Sequence, residues 1–135
     1  MRFMMIMFPK EYTNAKAGWV PDLKSMEAMG KYNEELGKAG VLLALDGLRP
    51  PGDGASVSFR EGEATVTDGP FAEAKEVVGG YWVIQARSTE EAVEWAKRCP
   101  GRDCRIEVRP VFEMEDFPPE VREAIDYDPG LHPGG

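Results

Sequence analysis

The stretch Thr65-Val66-Thr67-Asp68-Gly69-Pro70-Phe71-Ala72-Glu73-Ala74-Lys75-Glu76, continuing as Val77-Val78-Gly79-Gly80-Tyr81-Trp82, decides how the chain is put together. A β-like run ends at Asp68, Gly69-Pro70 turns the chain, a short charged segment follows, and a double glycine opens a second β-like run. Polar groups, a turn and backbone freedom meet between two strands. Upstream, residues 55–60 and 63–67 alternate with period two around Glu61-Gly62, a hairpin-type turn. The hairpin leads straight into the quoted stretch.

Downstream, residues 81–87 form a main strand, and Ser88-Thr89-Glu90-Glu91 has the capping-box pattern that starts a helix. That helix carries Ala92, Val93, Ala96 and Cys99 on one side, with Trp95 nearby, and stops at Pro100-Gly101. Residues 104–112 alternate as a final strand with charges on one face and apolar residues on the other.

Before the hairpin, residues 2–8 are nearly all apolar and read as a short strand covered on both faces, limited by Pro9. Residues 11–20 show no period and form a loop, with Trp19 anchoring it to the core. From Pro21-Asp22 an amphipathic helix of about five turns begins. Its inner positions are Leu23, Met26, Met29/Gly30, Asn33 and Leu36/Gly37, with Met26 and Met29 read as core packing. Glu27–Lys31 and Glu34–Lys38 are i,i+4 pairs in the favourable order, and Gly40 is the C-terminal cap. Residues 41–45 are a second buried strand closed by Asp46-Gly47, and the Pro/Gly cluster at 50–54 is a turn or mobile loop.

The order is strand, helix, strand, hairpin insert, strand, helix, strand. Without the insert this is βαββαβ, a ferredoxin-like α+β fold whose antiparallel sheet carries both helices on one face. The other face is too apolar to stay wet, so a homodimer, sheet against sheet, is expected. Residues 1–114 read as the domain, and 115–135 as an acidic extension with a short helix up to residue 125 and a mobile end.

The 135 residues suit one domain, and 42% hydrophobic with 30% charged residues suits a globular protein in water. Sixteen basic against 24 acidic residues, a formal charge of −8, with no Lys/Arg cluster, argue against direct nucleic-acid binding. The apolar start is too short for a signal peptide, and no run reaches the roughly 18 apolar residues of a membrane span. A cytoplasmic protein without membrane contact is expected. Cys99 and Cys104 form no CxxC, and the lone His132 sits in a Gly/Pro tail, so neither a metal site nor a cofactor is expected.

Asp68-Gly69-Pro70-Phe71-Ala72-Glu73 with Lys75-Glu76 and Gly79-Gly80-Tyr81 resembles the signature of the YCII-related, or DGPF, family of small bacterial proteins. Tyr32-Asn33-Glu34-Glu35-Leu36, Ala92-Val93-Glu94-Trp95-Ala96 with Cys99-Pro100, and Ile106-Glu107-Val108-Arg109-Pro110-Val111 extend the resemblance over residues 1–114. It implies a dimeric α+β-barrel fold and, for most members, no assigned activity. Some relatives in the wider superfamily are thought to use a His–Asp pair, which this chain, with no histidine outside its tail, does not carry.

Asp68 reads either as a local cap, accepting backbone N–H bonds, or as a ligand or proton-transfer group. Glu73, Lys75 and Glu76 read as a solvated charged turn, or as a pair in which Lys75 holds an anion. Asp68 or Glu73 as general base with Lys75 stabilising an anion would serve a lyase, isomerase or dehydrochlorinase. Gly79 and Gly80 mark a bulge, an unusual φ or close approach of a ligand. Tyr81 and Trp82 point to opposite strand faces, and Asp46 is a lesser ligand-binding candidate. The alternative is a non-catalytic dimer that binds a small ligand or a protein partner.

Overall fold

Strand β1 (Arg2–Pro9) is the hub of the computed structural model, which describes residues 1–13, 15–70 and 75–125. It pairs antiparallel with β5 (Gly80–Gln85) on one side and β6 (Cys104–Pro110) on the other. Strand β2 (Leu42–Gly47) adds to the far edge of β5, so the sheet order is β2-β5-β1-β6. Helices α1 (Leu23–Lys38) and α2 (Thr89–Lys97) pack on one face of it. Strands β3 (Ala55–Arg60) and β4 (Glu63–Asp68) form a separate two-stranded sheet. The short α3 (Pro119–Ile125) follows β6. With the hairpin set aside, this is the antiparallel βαββαβ α+β arrangement expected from the periodicities.

The core lies between sheet and helices. Alternation along β1 and β5 sends Phe3, Met5, Trp82 and Ile84 inward, where they meet Tyr32 and Leu36 of α1 and Ala92 of α2. Two hydrogen bonds tie the layers together. The Trp82 indole N–H donates to Asn33 Oδ1 at 2.7 Å, and the Tyr32 hydroxyl donates to the Trp95 carbonyl at 2.7 Å. The Tyr32 ring meets Trp82 edge-on, centroids 5.6 Å apart. Burial raises the Tyr32 pKa, since the phenolate would be desolvated there.

Local chemistry sets the helix ends. Asp22 Oδ1 accepts from the Ser25 N–H at 2.7 Å, and α1 closes with the Val41 N–H donating to the Leu36 carbonyl at 3.2 Å. Ser88 Oγ accepts from the Glu91 N–H at 3.1 Å, but the Glu91 carboxylate turns to Arg87 at 2.9 Å instead of back to the cap. Of the two i,i+4 pairs expected on α1, Glu34–Lys38 forms at 2.9 Å, whereas Glu27 and Lys31 do not pair with each other. Glu61 and Gly62 both take positive φ, 50° and 83°, which lets a two-residue turn follow the twist of the hairpin.

Several expectations are corrected. Residues 41–45 are not a buried strand: β2 spans Leu42–Gly47 and is mostly exposed, with Leu43 52% exposed, because it has a neighbour on one side only. The inner stripe of α1 is Ala28, Met29, Tyr32, Asn33 and Leu36; Leu23 and Met26 face solvent, so only Met29 of the methionine pair packs against the core. Strand β1 is covered on one face only. Residues 11–20 are partly ordered by a short 3-10 turn, Lys10–Tyr12, which buries Tyr12. Trp19 meets that ring edge-on at 4.9 Å, the anchoring expected of it. Among the described residues no helix is long and apolar enough to cross a membrane.

Candidate functional site

The quoted stretch leaves the hairpin at Asp68, where β4 pairs with Ala55 of β3. The Gly69 N–H then donates to the Gly54 carbonyl at 3.0 Å, and a Cβ on Gly69 would collide with the Pro51 carbonyl. Only glycine allows the hairpin root and the 50–54 loop to lie this close. Residues 71–74, and Glu73 with them, lie outside the described residues. The chain is described again from Lys75 and reaches the sheet at Gly79, whose N–H donates to the Met7 carbonyl at 2.8 Å.

Between these segments lies a cleft of about 430 Å³. Leu48, Pro50, Pro51, Val77 and Val78 supply its apolar wall, and Arg49, Asp53 and Glu76 its charged groups. Asp53 is held in place, accepting from the Gly18 N–H at 3.2 Å and pairing with Arg49 at 3.3 Å. Glu76 also lines a second cleft of about 250 Å³ with Lys75, Lys10, Asp103, Cys104 and Arg105. The Lys75–Val78 segment is therefore a wall shared by two depressions.

Arg105 fixes that wall. Its Nε and Nη2 donate to the two Glu76 carboxylate oxygens at 2.8 and 3.0 Å, and its guanidinium lies 4.4 Å over the Phe8 ring. The Arg105 hydrogen bond holds the Glu76 carboxyl below the usual carboxylate range. Burial pushes the Cys104 and Cys99 thiols up, and both are free thiols. Among the described residues no group of three or more His, Cys, Asp or Glu side chains could hold a metal ion.

The other expected residues fall apart from one another. Asp68 is exposed on β4 and makes no side-chain hydrogen bond among the described residues, and neither it nor Lys75 lines the larger cleft. Asp46 and Tyr81 do meet: the Tyr81 hydroxyl donates to Asp46 Oδ2 at 2.8 Å on the sheet face opposite the helices. That bond raises the Tyr81 pKa. Trp82 points the other way, into the core, as the alternation required. Gly79 and Gly80 have ordinary backbone angles; a Cβ on Gly79 would run into the Pro9 side chain, and one on Gly80 would crowd the Asp46 carbonyl at 2.9 Å. The close approach here is made by the protein's own chain.

Arg49, Asp53 and Arg105 went unnoticed in the sequence. Arg49 precedes and Asp53 lies within a Pro/Gly cluster that reads only as a turn, and the alternation of 104–112 marks Arg105 only as outward-facing. Pairing it with Glu76 needs the strand order.

The sheet register also maps the face left open by the helices. Met4, Ile6, Tyr81 and Val83 occupy its middle, with Asp46 at the β2 edge and Arg105, Glu107 and Arg109 at the β6 edge. It is apolar in the centre and charged at both sides.

The family model of the YCII-related domain matches residues 1–115. The chain is also 33% identical over 75 residues to an uncharacterized protein of Rhizobium meliloti (strain 1021). That alignment covers 56% of this chain and 58% of the relative, less than two thirds of its length. Because the family match runs through both helices, the hairpin and every strand of the sheet, the chain belongs to the YCII-related domain family.

Proposed function

We propose that this protein is a cytoplasmic homodimer that binds a small, mainly apolar molecule with an anionic group. The observation that carries this reading is the cleft of about 430 Å³ between residues 48–55 and 76–78, with its apolar wall and the Arg49 guanidinium, exposed although paired with Asp53. In this reading Asp68 and Lys75, which do not line the cleft, are secondary to Arg49, and Glu73 lies outside the described residues. Asp46 on the edge strand β2, and Gly79, Gly80 and Tyr81 at the start of β5, belong to the part of the sheet that supports it. Residues 1–114 carry the site, and 115–135 are an appended extension. The dimer forms through the open sheet face, whose apolar middle is favourably removed from water.

The catalytic reading, in which Asp68 or Glu73 removes a proton and Lys75 stabilises the resulting anion, is the less favoured one. Proton abstraction by a carboxylate is helped by an enclosed, water-poor setting. Among the described residues no polar or charged side chain is buried, and Asp68 is exposed.

A thermal-shift screen of small aromatic and aliphatic carboxylates tests the proposal. Hits should raise the midpoint of the natural protein, Arg49→Ala should remove most of the gain, and Asp68→Asn and Lys75→Ala should weaken it less. A screen with no hit would overturn the ligand-binding reading. Turnover of a hit that Asp68→Asn abolishes would establish the catalytic one.

A further inference from the structure

The smaller cleft, about 250 Å³, carries a charge opposite in sign to that of the chain as a whole. Lys10, Lys75 and Arg105 line it against two carboxylates, Glu76 and Asp103, which leaves one positive charge in excess on a chain of formal charge −8. The three cations come from distant parts of the sequence: the residue after β1, the segment returning from the hairpin, and β6. Strand pairing brings them together, with Phe8 opposite Arg105 and Pro9 opposite Cys104. The Lys10 N–H then donates to the Asp103 carbonyl at 2.9 Å, and the Gly79 N–H ties the returning segment to the Met7 carbonyl at 2.8 Å.

The lining charges are not equally engaged. Arg105 Nε and Nη2 occupy both oxygens of Glu76, so this carboxylate is neutralised within the site and closed to a cation. The guanidinium has more N–H donors than Glu76 and the Glu107 approach at 3.5 Å use. Its stacking over Phe8 at 4.4 Å keeps it from swinging away. Among the described residues the Lys10 and Lys75 ammonium groups form no ion pair. Thr13 adds a hydroxyl to the lining, and Phe8 and Pro9 an apolar side, against which attraction between charges is screened less than in open water. Asp103 is the lining carboxylate that Arg105 does not engage, and it alone opposes an incoming anion.

Cations arriving from three segments suit an ion whose oxygens point in several directions. A planar carboxylate is matched by one guanidinium, and here that place is already taken by Glu76. We propose that the smaller cleft binds a phosphate-type dianion, held by the Lys10 and Lys75 ammonium groups, the unused N–H groups of Arg105 and the Thr13 hydroxyl. The site lies across the Lys75–Val78 wall from the larger cleft and stands whether or not that cleft takes a ligand.

A ¹H–¹⁵N NMR titration of the full chain with inorganic phosphate is the test. The pH is kept mildly alkaline, where phosphate is a dianion, and chloride holds the ionic strength constant. Saturable shifts in the millimolar range are expected at the amides of Lys10, Thr13, Lys75, Glu76 and Arg105. Lys10→Ala with Lys75→Ala should weaken binding about tenfold, the scale of two exposed charge contacts. Asp103→Asn should tighten it about threefold, a gain that a purely structural Asp103 would not give. Methyl phosphate binding more tightly than phosphate would identify the ligand as a phosphomonoester end, and weaker binding would identify it as the free ion. Shifts no larger than those caused by chloride, binding that survives the double lysine variant, or weaker binding by Asp103→Asn would each overturn the site. Phosphate shifts confined to residues 48–55 would overturn it too, while supporting the Arg49 reading of the larger cleft.

Discussion

Tyr32 shows how much a single side chain decides in a domain this small. Its ring sits against Trp82, and its hydroxyl reaches across to the Trp95 carbonyl near the end of α2. Removing the hydroxyl takes one of two donors from that carbonyl, which keeps the Arg98 N–H at 3.1 Å. Tyr32→Phe is expected to cost about 0.5–1 kcal/mol, read from urea unfolding with an unchanged slope. A midpoint equal to that of the natural protein would show that water replaces the hydroxyl at no cost. At the same scale the structure revises the meaning of the paired glycines. They are required by the packing of Pro9 and the Asp46–Gly47 backbone, not by a left-handed conformation.

Among the elements, β1 and β6 are closed at their ends by an ion pair. Arg2 Nε and Nη2 donate to Glu113 Oε1 and Oε2 at 2.8 and 3.1 Å, joining the start of β1 to the chain just past β6. The Arg2 hydrogen bonds hold the Glu113 carboxyl below the usual carboxylate range. A carboxylate whose folded pKa is depressed adds stability above its unfolded value, near 4.3, and loses it as the pH falls through the folded value. The side chains are 23% and 31% exposed, so the contribution is at most about 1 kcal/mol. Urea midpoints measured between pH 6 and 3 should fall more for the natural protein than for Glu113→Gln, the two curves converging at the acid end. Parallel curves would mean that the pair carries no net stability.

The elements also show how far local sequence reaches. The hairpin, its Glu61-Gly62 turn, the Ser88 cap and the inner face of α2 were legible, because each depends on neighbours within a few residues. The exposed first turns of α1 were not. Leu23 and Met26 continue an apolar spacing, but spacing does not say where the sheet beneath the helix ends. The candidate site was less legible still. Asp68, Lys75 and Tyr81 were named from one segment and Asp46 separately from the end of a strand, and the fold distributes them over the hairpin, a cleft and the open sheet face, where Asp46 and Tyr81 meet.

For the whole molecule, assembly is the question with the largest energetic consequence. If the open sheet face is buried between two copies, unfolding is linked to dissociation. The thermal midpoint should then rise steadily as protein concentration increases over two or three decades. A midpoint independent of concentration, in a sample that sediments as a monomer, would rule the dimer out.

By itself the sequence determined the identity and order of the elements, the α+β class and the family, since side-chain periodicity, turn chemistry and the Asp68–Glu76 signature are local properties. Only the tertiary structure decided that β2 lies at the sheet edge, that Arg105 grips Glu76, and that the larger cleft is walled by residues 48–55 and 76–78. Those facts depend on which distant strands become neighbours. Strand order is settled by burying Phe3, Met5, Trp82 and Ile84 together under two helices, a sum over the whole chain that no single stretch contains.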